Sequence, residues 1–305
     1  MDVLPGLPPE PVESVKRPVR LAEATTQRGV ISAAGRRRVV DAAREAGDVA
    51  SALGASDTVA FATSALREAA NRDHVTAEIQ AAAGVPVTLM SGTDEARLEF
   101  LAARRWYGWS AGPMLLADIG GGSLELGYGS GELPSVAVSL PLGAGRLTRE
   151  HLPADPPVPG KDVKALRRHV RSVLLAETAE LRACPEAVTH VATSTTFRQL
   201  GRLCGAPKAK AGPFAVRVLR RHPLTKRIRE LAAATDAERA RMRGVSGSRA
   251  HQILAGAIVA EAVMAVLDVE CLNLCPWGVR EGVVLDRCAQ AGTAGGSPQR
   301  HRCRA

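Results

Sequence analysis

The sequence predicts an α/β fold built in two halves, and three observations carry that prediction. Short apolar runs alternate along the chain with stretches whose apolar residues recur at helical spacing. Gly108, Gly112 and Pro113 interrupt the alternation and mark a boundary near residues 108–114. The composition, 46% hydrophobic and 23% charged, is that of a chain able to bury a core over two ordinary domains, not of a disordered one. With aromatics at 3%, Ala, Val and Leu must fill that core.

Residues 1–18 carry Pro5, Pro8, Pro9, Pro11 and Pro18 and read as an irregular lead-in. Residues 38–53 are Ala-rich at helical spacing, with Gly54 as a stop. Residues 58–63 are a short apolar run, read as a buried strand. A helix over 73–83 is closed by Gly84 and Pro86, a strand follows over 87–90, and a helix over 94–106. After the boundary come strands at 113–118, 124–128 and 136–142, the last two separated by the turn signal Gly129-Ser-Gly131. A long helix over 162–183 precedes a strand at 190–193. Helices at 224–243 and 247–267, a strand at 270–274 and a short helix at 279–288 complete the series. The predicted units are residues 1–110, 111–286 and a disordered basic tail, 287–305.

Composition also excludes classes of function. No apolar run is long enough to span a membrane, since residues 253–267 carry Glu261 in their middle. No signal peptide opens the chain, so a cytoplasmic location and no membrane partner are expected. Six Cys are too sparse for a disulfide scaffold. The net charge of +9, part of it in the tail, favours polyanions in general. No nucleic-acid-binding motif accompanies it, and none is expected as a partner.

Four turns carry chemistry-bearing residues. In Asp118-Ile-Gly-Gly-Gly-Ser123, after an apolar strand, three glycines let the backbone approach an anion, and an acid at the strand end can hold a divalent cation or its water. With Glu125 just beyond, the segment suits a phosphate-and-magnesium cradle; it also suits a tight hairpin turn. In Ser91-Gly-Thr-Asp-Glu-Ala-Arg97 the acids fit the first turn of a capped helix, or one of them fits a general base for water. Thr63-Ser64 with Arg67, and Thr193-Ser194-Thr195-Thr196, place hydroxyls and a guanidinium at strand-to-helix junctions, where phosphate oxygens or plain helix caps would both be served. Four such turns in two halves describe a site in a cleft between them. No G-x-x-x-x-G-K-S/T loop and no G-x-S-x-G elbow is present. Trp106 and Trp109 read as packing residues.

Together, residues 61–73, 91–106, 116–129, 139–148, 191–200 and 276–286 resemble the exopolyphosphatase / guanosine pentaphosphate phosphohydrolase (Ppx/GppA) family of the actin-like superfamily. The resemblance implies two actin-like (ribonuclease H-like) domains around a cleft. It implies Mg²⁺-dependent hydrolysis, with another divalent cation as an alternative, of the terminal phosphoanhydride of inorganic polyphosphate or of pppGpp. It makes Glu95 the base for the attacking water, with Asp94 in place of the family's first Glu. It makes Asp118 the residue that positions metal or water, and Glu125 its companion at the metal. Gly120, Gly121, Gly122 and Ser123 become the phosphate loop, Arg67 a phosphate-binding residue, and Ser194 and Thr195 the far side of the cleft. A homodimer is implied by analogy with relatives. One departure matters: the family opens with an apolar strand and an Asp-x-Gly-Ser/Thr-Asn-Ser/Thr loop, whereas this sequence opens on residues 1–6, which match the stretch just after it. An incomplete first domain is therefore expected. A phosphohydrolase is the first reading. A catalytically impaired polyphosphate or alarmone binder is the alternative, and a kinase of the same superfamily is the third.

Overall fold

The fold was obtained as a computed structural model describing residues 13–155 and 157–294. Most of the proline-rich lead-in, and the expected tail beyond Ala294, lie outside the described residues.

The first half begins with α1 (Ala33–Ala52), which starts before the expected residue 38 because the Ser32 hydroxyl caps it, accepting from the Gly35 N–H. Then follow β1 (Ala60–Ala62), the single turn α2 (Ser64–Arg67), α3 (Arg72–Ala83), β2 (Val87–Leu89) and α4 (Gly92–Tyr107). β1 and β2 form a two-stranded parallel sheet. Ile31, Leu66, Val75 and Ile79 form the core beneath it.

The second half holds β3 (Met114–Ile119), β4 (Leu124–Gly129), β5 (Val136–Leu140), α5 (Ala144–His151), α6 (Gly160–Glu177), α7 (Ala179–Ala183), β6 (Thr189–Ala192) and α8 (Ser194–Leu203). It continues through β7 (Val218–Arg220), α9 (Arg221–Ala233), α10 (Asp236–Arg241), α11 (Ile253–Val266), β8 (Cys271–Leu274) and α12 (Val279–Ala294). Six strands make a mixed sheet in the order β5-β4-β3-β6-β8-β7. β3, β6 and β8 are parallel, while β4, β5 and β7 pair antiparallel with their neighbours.

Alternation along β3 assigns its two faces. Leu115, Ala117 and Ile119 enter the large core that α11 shares. Met114 and Leu116 enter a smaller core with Phe100 and Ala103 of α4. Asp118 is therefore on the face that α4 covers. α11 is apolar on nearly every side and buried over most of its length, with the part-exposed Glu261 paired to Arg167 at 3.4 Å. No helix among the described residues is long and apolar enough to cross a membrane.

Several expectations need correction. The helix expected over 162–183 breaks at Thr178, whose hydroxyl donates back to the Leu174 carbonyl at 2.6 Å. The helix expected over 224–243 breaks before Asp236, where Thr235 and Glu238 form a reciprocal capping box that starts α10. α5 and β7 were not anticipated. The helix expected over 279–288 runs on as α12 to Ala294, into the stretch expected as a disordered tail. The one glycine in this extension, Gly292, costs a helix only about 1 kcal/mol and does not end it. Arg287 is held by Asp57 at 2.6 Å. Trp106 packs edge-on to Trp277 at 5.1 Å, but Trp109 is 61% exposed and is no core residue.

α12 lies on α4 through Gly282, where a Cβ would stand 2.1 Å from the Leu98 carbonyl oxygen. Backbone cannot yield as a side chain can, so Gly282→Ala is expected to push the helices apart at a cost of about 1–3 kcal/mol. A thermal melt several degrees below wild type would show it; an unchanged Tm would mean the helices are not that close. Arg146 with Glu68, and Arg149 with the Ala22 carbonyl at 3.0 Å, tie the two halves on the other side.

Candidate active site

The register of β3 and β4 sets Asp118 opposite Glu125, and that of β4 and β5 sets Glu125 opposite Ser139. Residues directly opposed in a sheet share a face, so these three form a row. α4 crosses that face closely, because Gly127 leaves room for Phe100 at 3.3 Å from where a Cβ would be. Glu95 and Glu99, one turn apart on α4, are both buried towards the row. The carboxylate oxygens of Glu95, Glu99 and Glu125 lie within 4.8 Å of one another. Asp118 is outside that grouping. It faces the cleft, and the Thr193 hydroxyl donates to its Oδ2 at 2.5 Å.

The cleft has a volume of about 420 Å³ and is lined by Glu95, Glu99, Asp118, Ser194, Thr195 and Arg198, with Lys16 and Arg280 among the residues around them. Glu95, Glu99 and Asp118 thus stand together, while Ser194, Thr195 and the cations Arg198 and Arg280 line the cleft beside one further acid, Glu281. Arg67 stands behind Glu95, with Nη1 at 3.5 Å from its Oε2, and donates to the Met90 carbonyl at 2.6 Å. Gly92, at the start of α4, leaves no room for a side chain against Ser139.

Burial raises every acid of the site. Glu95 is pushed up to about 7 by burial and the Asp118 charge, against the pull of Arg67. Asp118 is raised to about 6 by burial, with the Thr193 hydroxyl, Arg198 and Arg249 working in the opposite direction. Glu125 is raised to about 8 by burial and by Glu95, despite hydroxyl hydrogen bonds that include Ser139 Oγ donating at 2.8 Å. Glu99 is raised well above the carboxylate range by burial and by Asp118, Glu125 and Glu95. A carboxylate near 7 is suited to accept a proton at neutral pH.

The glycine turn is packed rather than left-handed. The Gly120 N–H is taken up by the Ser123 carbonyl at 2.9 Å, and the Gly120 and Gly121 carbonyls receive the Ala144 and Arg146 N–H groups at the start of α5. A Cβ on Gly122 would stand 2.7 Å from Ser64 Oγ, and Gly143 leaves even less room against Gly122. The three glycines do not line the cleft itself. Among the described residues no hydrogen bond is made by the Gly121 or Gly122 N–H, which leaves these two as the loop's available donors. Ser123 is buried beside Glu125.

Ser194 opens α8 with φ of 70°, a left-handed conformation that costs a non-glycine residue about 1–3 kcal/mol. The strain holds its hydroxyl at the cleft wall. Ser194→Gly is expected to raise Tm by a few degrees while weakening phosphate binding, since the cap lost with the hydroxyl is worth only a few tenths of a kcal/mol against glycine. A fall in Tm would show that the strain is not stored there.

The motifs thus bring together Glu95, Asp118, Glu125, Ser194 and Thr195, with Arg67 behind them. They did not mark Glu99, Ser139, Arg198 or Lys16, and they marked Thr193 only as one of the hydroxyls at a strand-to-helix junction. For Glu99 a signal was present, its i+4 spacing from Glu95 on one helical face.

The residues fit a hard divalent cation, because carboxylate oxygens converge and one of them, Glu99 Oε2, is buried with neither a hydrogen bond nor an ion pair, while Glu95 Oε2 has only the Arg67 guanidinium at 3.5 Å.

A sequence model described as the Ppx/GppA phosphatase family matches residues 2–291. The chain is 46% identical over 288 residues to exopolyphosphatase 1 of Mycobacterium tuberculosis, covering 93% of this chain and 83% of that protein. It is 48% identical over 279 residues to an uncharacterised protein of Streptomyces coelicolor, covering 91% and 82%. Among solved structures, an exopolyphosphatase-like protein aligns with a TM-score of 0.80 at 23% identity over 90% of both chains. An exopolyphosphatase from Cytophaga hutchinsonii aligns with a TM-score of 0.76 at 21% identity, over 86% of this chain and 84% of that one. The likeness to these structures is one of fold, and the fold is of the α/β class that the sequence predicts.

Proposed function

The chain belongs to the Ppx/GppA phosphatase family, and from that premise we propose that it is a phosphoanhydride hydrolase releasing terminal phosphate from inorganic polyphosphate, with pppGpp as a second substrate. The observation that carries the reading is the convergence of Glu95, on the helix entering from the first half, with Asp118 on the second sheet in one cleft that Lys16, Arg198 and Arg280 also line, with Glu125 paired to Asp118 across the strands behind it. Relatives at 45% and 46% identity bearing the name exopolyphosphatase 1 support the substrate class.

In this mechanism water attacks the terminal phosphorus in line, the P–O bond to the shortened chain breaks, and Glu95 takes the water's proton. Arg67 favours the ionised form of Glu95 and fixes its carboxylate from behind. Ser194, Thr195 and Arg198 face the phosphoryl oxygens, and the Gly121 and Gly122 N–H groups, set back from the cleft lining, are the donors the glycine loop has left. Asp118 orients the water, held in place by Thr193. Asp118 and Glu125 would hold a divalent cation, Mg²⁺ in the first instance, which when bound neutralises charge spread over the phosphoryl oxygens. The division at residues 110 and 111, a cytoplasmic location and a homodimer belong to the same reading.

The test is phosphate release from long-chain polyphosphate and, in parallel, from pppGpp, with Mg²⁺ and with EDTA. Release in Mg²⁺ that EDTA stops is the expected result. No release from either substrate with any divalent cation overturns the reading.

A further inference from the structure

We propose that Glu99 is itself a ligand of the divalent cation in this site, sharing it with Glu125, a role that no motif of the sequence marks. The inference rests on the hydrolase reading above and adds a residue to it.

Glu99 is 3% exposed and its Oε2 is buried without a hydrogen-bond partner. Its neighbours in the site each have a compensating group. Asp118 receives the Thr193 hydroxyl, Glu125 receives the Ser139 hydroxyl, and Glu95 faces Arg67. The groups acting on Glu99 are Asp118, Glu125 and Glu95, all acids, and none favours its charged form. A lone buried carboxylate surrounded by carboxylates is costly unless it binds a proton or a cation. The position argues for the cation. Glu99 is one turn from Glu95 on α4, and its carboxylate oxygen joins those of Glu95 and Glu125 in a group no more than 4.8 Å across. Three convergent hard oxygens, with room in the cleft for water and phosphate oxygens, match the coordination a divalent cation takes. A carboxylate has two oxygens, so Glu95 can border the cation and still accept a proton.

Calorimetric titration of the full chain with Mn²⁺ and with Mg²⁺, without phosphate, tests the assignment directly. Wild type is expected to bind one cation at this site, Glu99→Gln to bind it at least about tenfold more weakly, and Glu99→Asp to fall between. A second readout separates ligation from folding. Without cation, Glu99→Gln is expected to melt at or above the wild-type temperature, since a buried acid has been removed, while the rise in Tm on adding Mn²⁺ shrinks. Glu99→Gln binding Mn²⁺ within about twofold of wild type overturns the proposal, and so does a wild-type chain that binds neither cation. Phosphate release is measured on the same preparations. Cation binding through Glu99 without any hydrolysis would sink the hydrolase reading and leave this assignment standing. Full hydrolysis with unchanged cation affinity in Glu99→Gln would do the reverse.

Discussion

Glu95→Gln is expected to lower the turnover of polyphosphate by about 10²- to 10⁴-fold at saturating Mg²⁺, the range that loss of a positioned general base produces. Gln keeps the shape and accepts no proton at neutral pH. The wild-type carboxyl is held at about 7 by burial and by Asp118. That value belongs to the cation-free protein, and bound Mg²⁺ beside the carboxylate lowers it, so wild-type activity should climb with pH on an acid limb centred below about 7 and level off above it, and the variant should lose that limb. KM should change little, because Glu95 is assigned to the proton and not to substrate binding. Measuring kcat and KM from pH 5.5 to 8.5 for both chains checks the prediction. A variant keeping more than about a tenth of wild-type turnover, or the same acid limb, would remove Glu95 from the role of base.

The second large effect is on stability. In the cation-free protein Asp118, Glu95 and Glu125 are held at about 6, 7 and 8, each above its unfolded value. Between the unfolded and folded values the native state binds more protons than the unfolded one, so stability falls as pH rises. The stabilising difference is complete at pH values below the unfolded carboxylate range and is lost on passing upward through 6 to 8. Cation-free protein should melt at least about 5 °C lower at pH 8.5 than at pH 5. Divalent cation should reverse much of that loss, and more at high pH than at low, because it competes with protons for the same oxygens. Melts in EDTA and in Mn²⁺ across this range are the measurement. A Tm that rises with pH in EDTA would mean the carboxylates are already compensated within the protein.

The activity and stability arguments pull in opposite directions on the same residues. A site that must charge Glu95 to work is least stable where it works best, unless a cation is bound.

Glu95, Asp118 and Glu125 were legible in the sequence because each is part of a short local pattern: an acid in a capped first turn, and acids flanking a glycine turn at a strand end. Arg67, Ser194 and Thr195 were legible in the same way, at strand-to-helix junctions. The breaks at Thr178 and Thr235 were less so, although the Thr235–Glu238 pair is a local capping signal that an Ala-rich helical pattern concealed. α5 escaped notice because Gly143 and Gly145 flank its start. Its first turn is set by the Ala144 and Arg146 N–H groups donating to the glycine-loop carbonyls rather than by its own propensity.

The sequence alone determined the fold class, the alternation of elements and the local identity of the acids, because helix period, strand runs and glycine turns are properties of neighbouring residues. It could not determine that Glu99 enters the carboxylate group, that Ser139 holds Glu125, or that Thr193 holds Asp118. Those relations depend on the pairing register of β3, β4 and β5 and on how closely α4 crosses them. The pKa shifts also come from that packing, since burial between the helix and the sheet is what removes water from four acids at once.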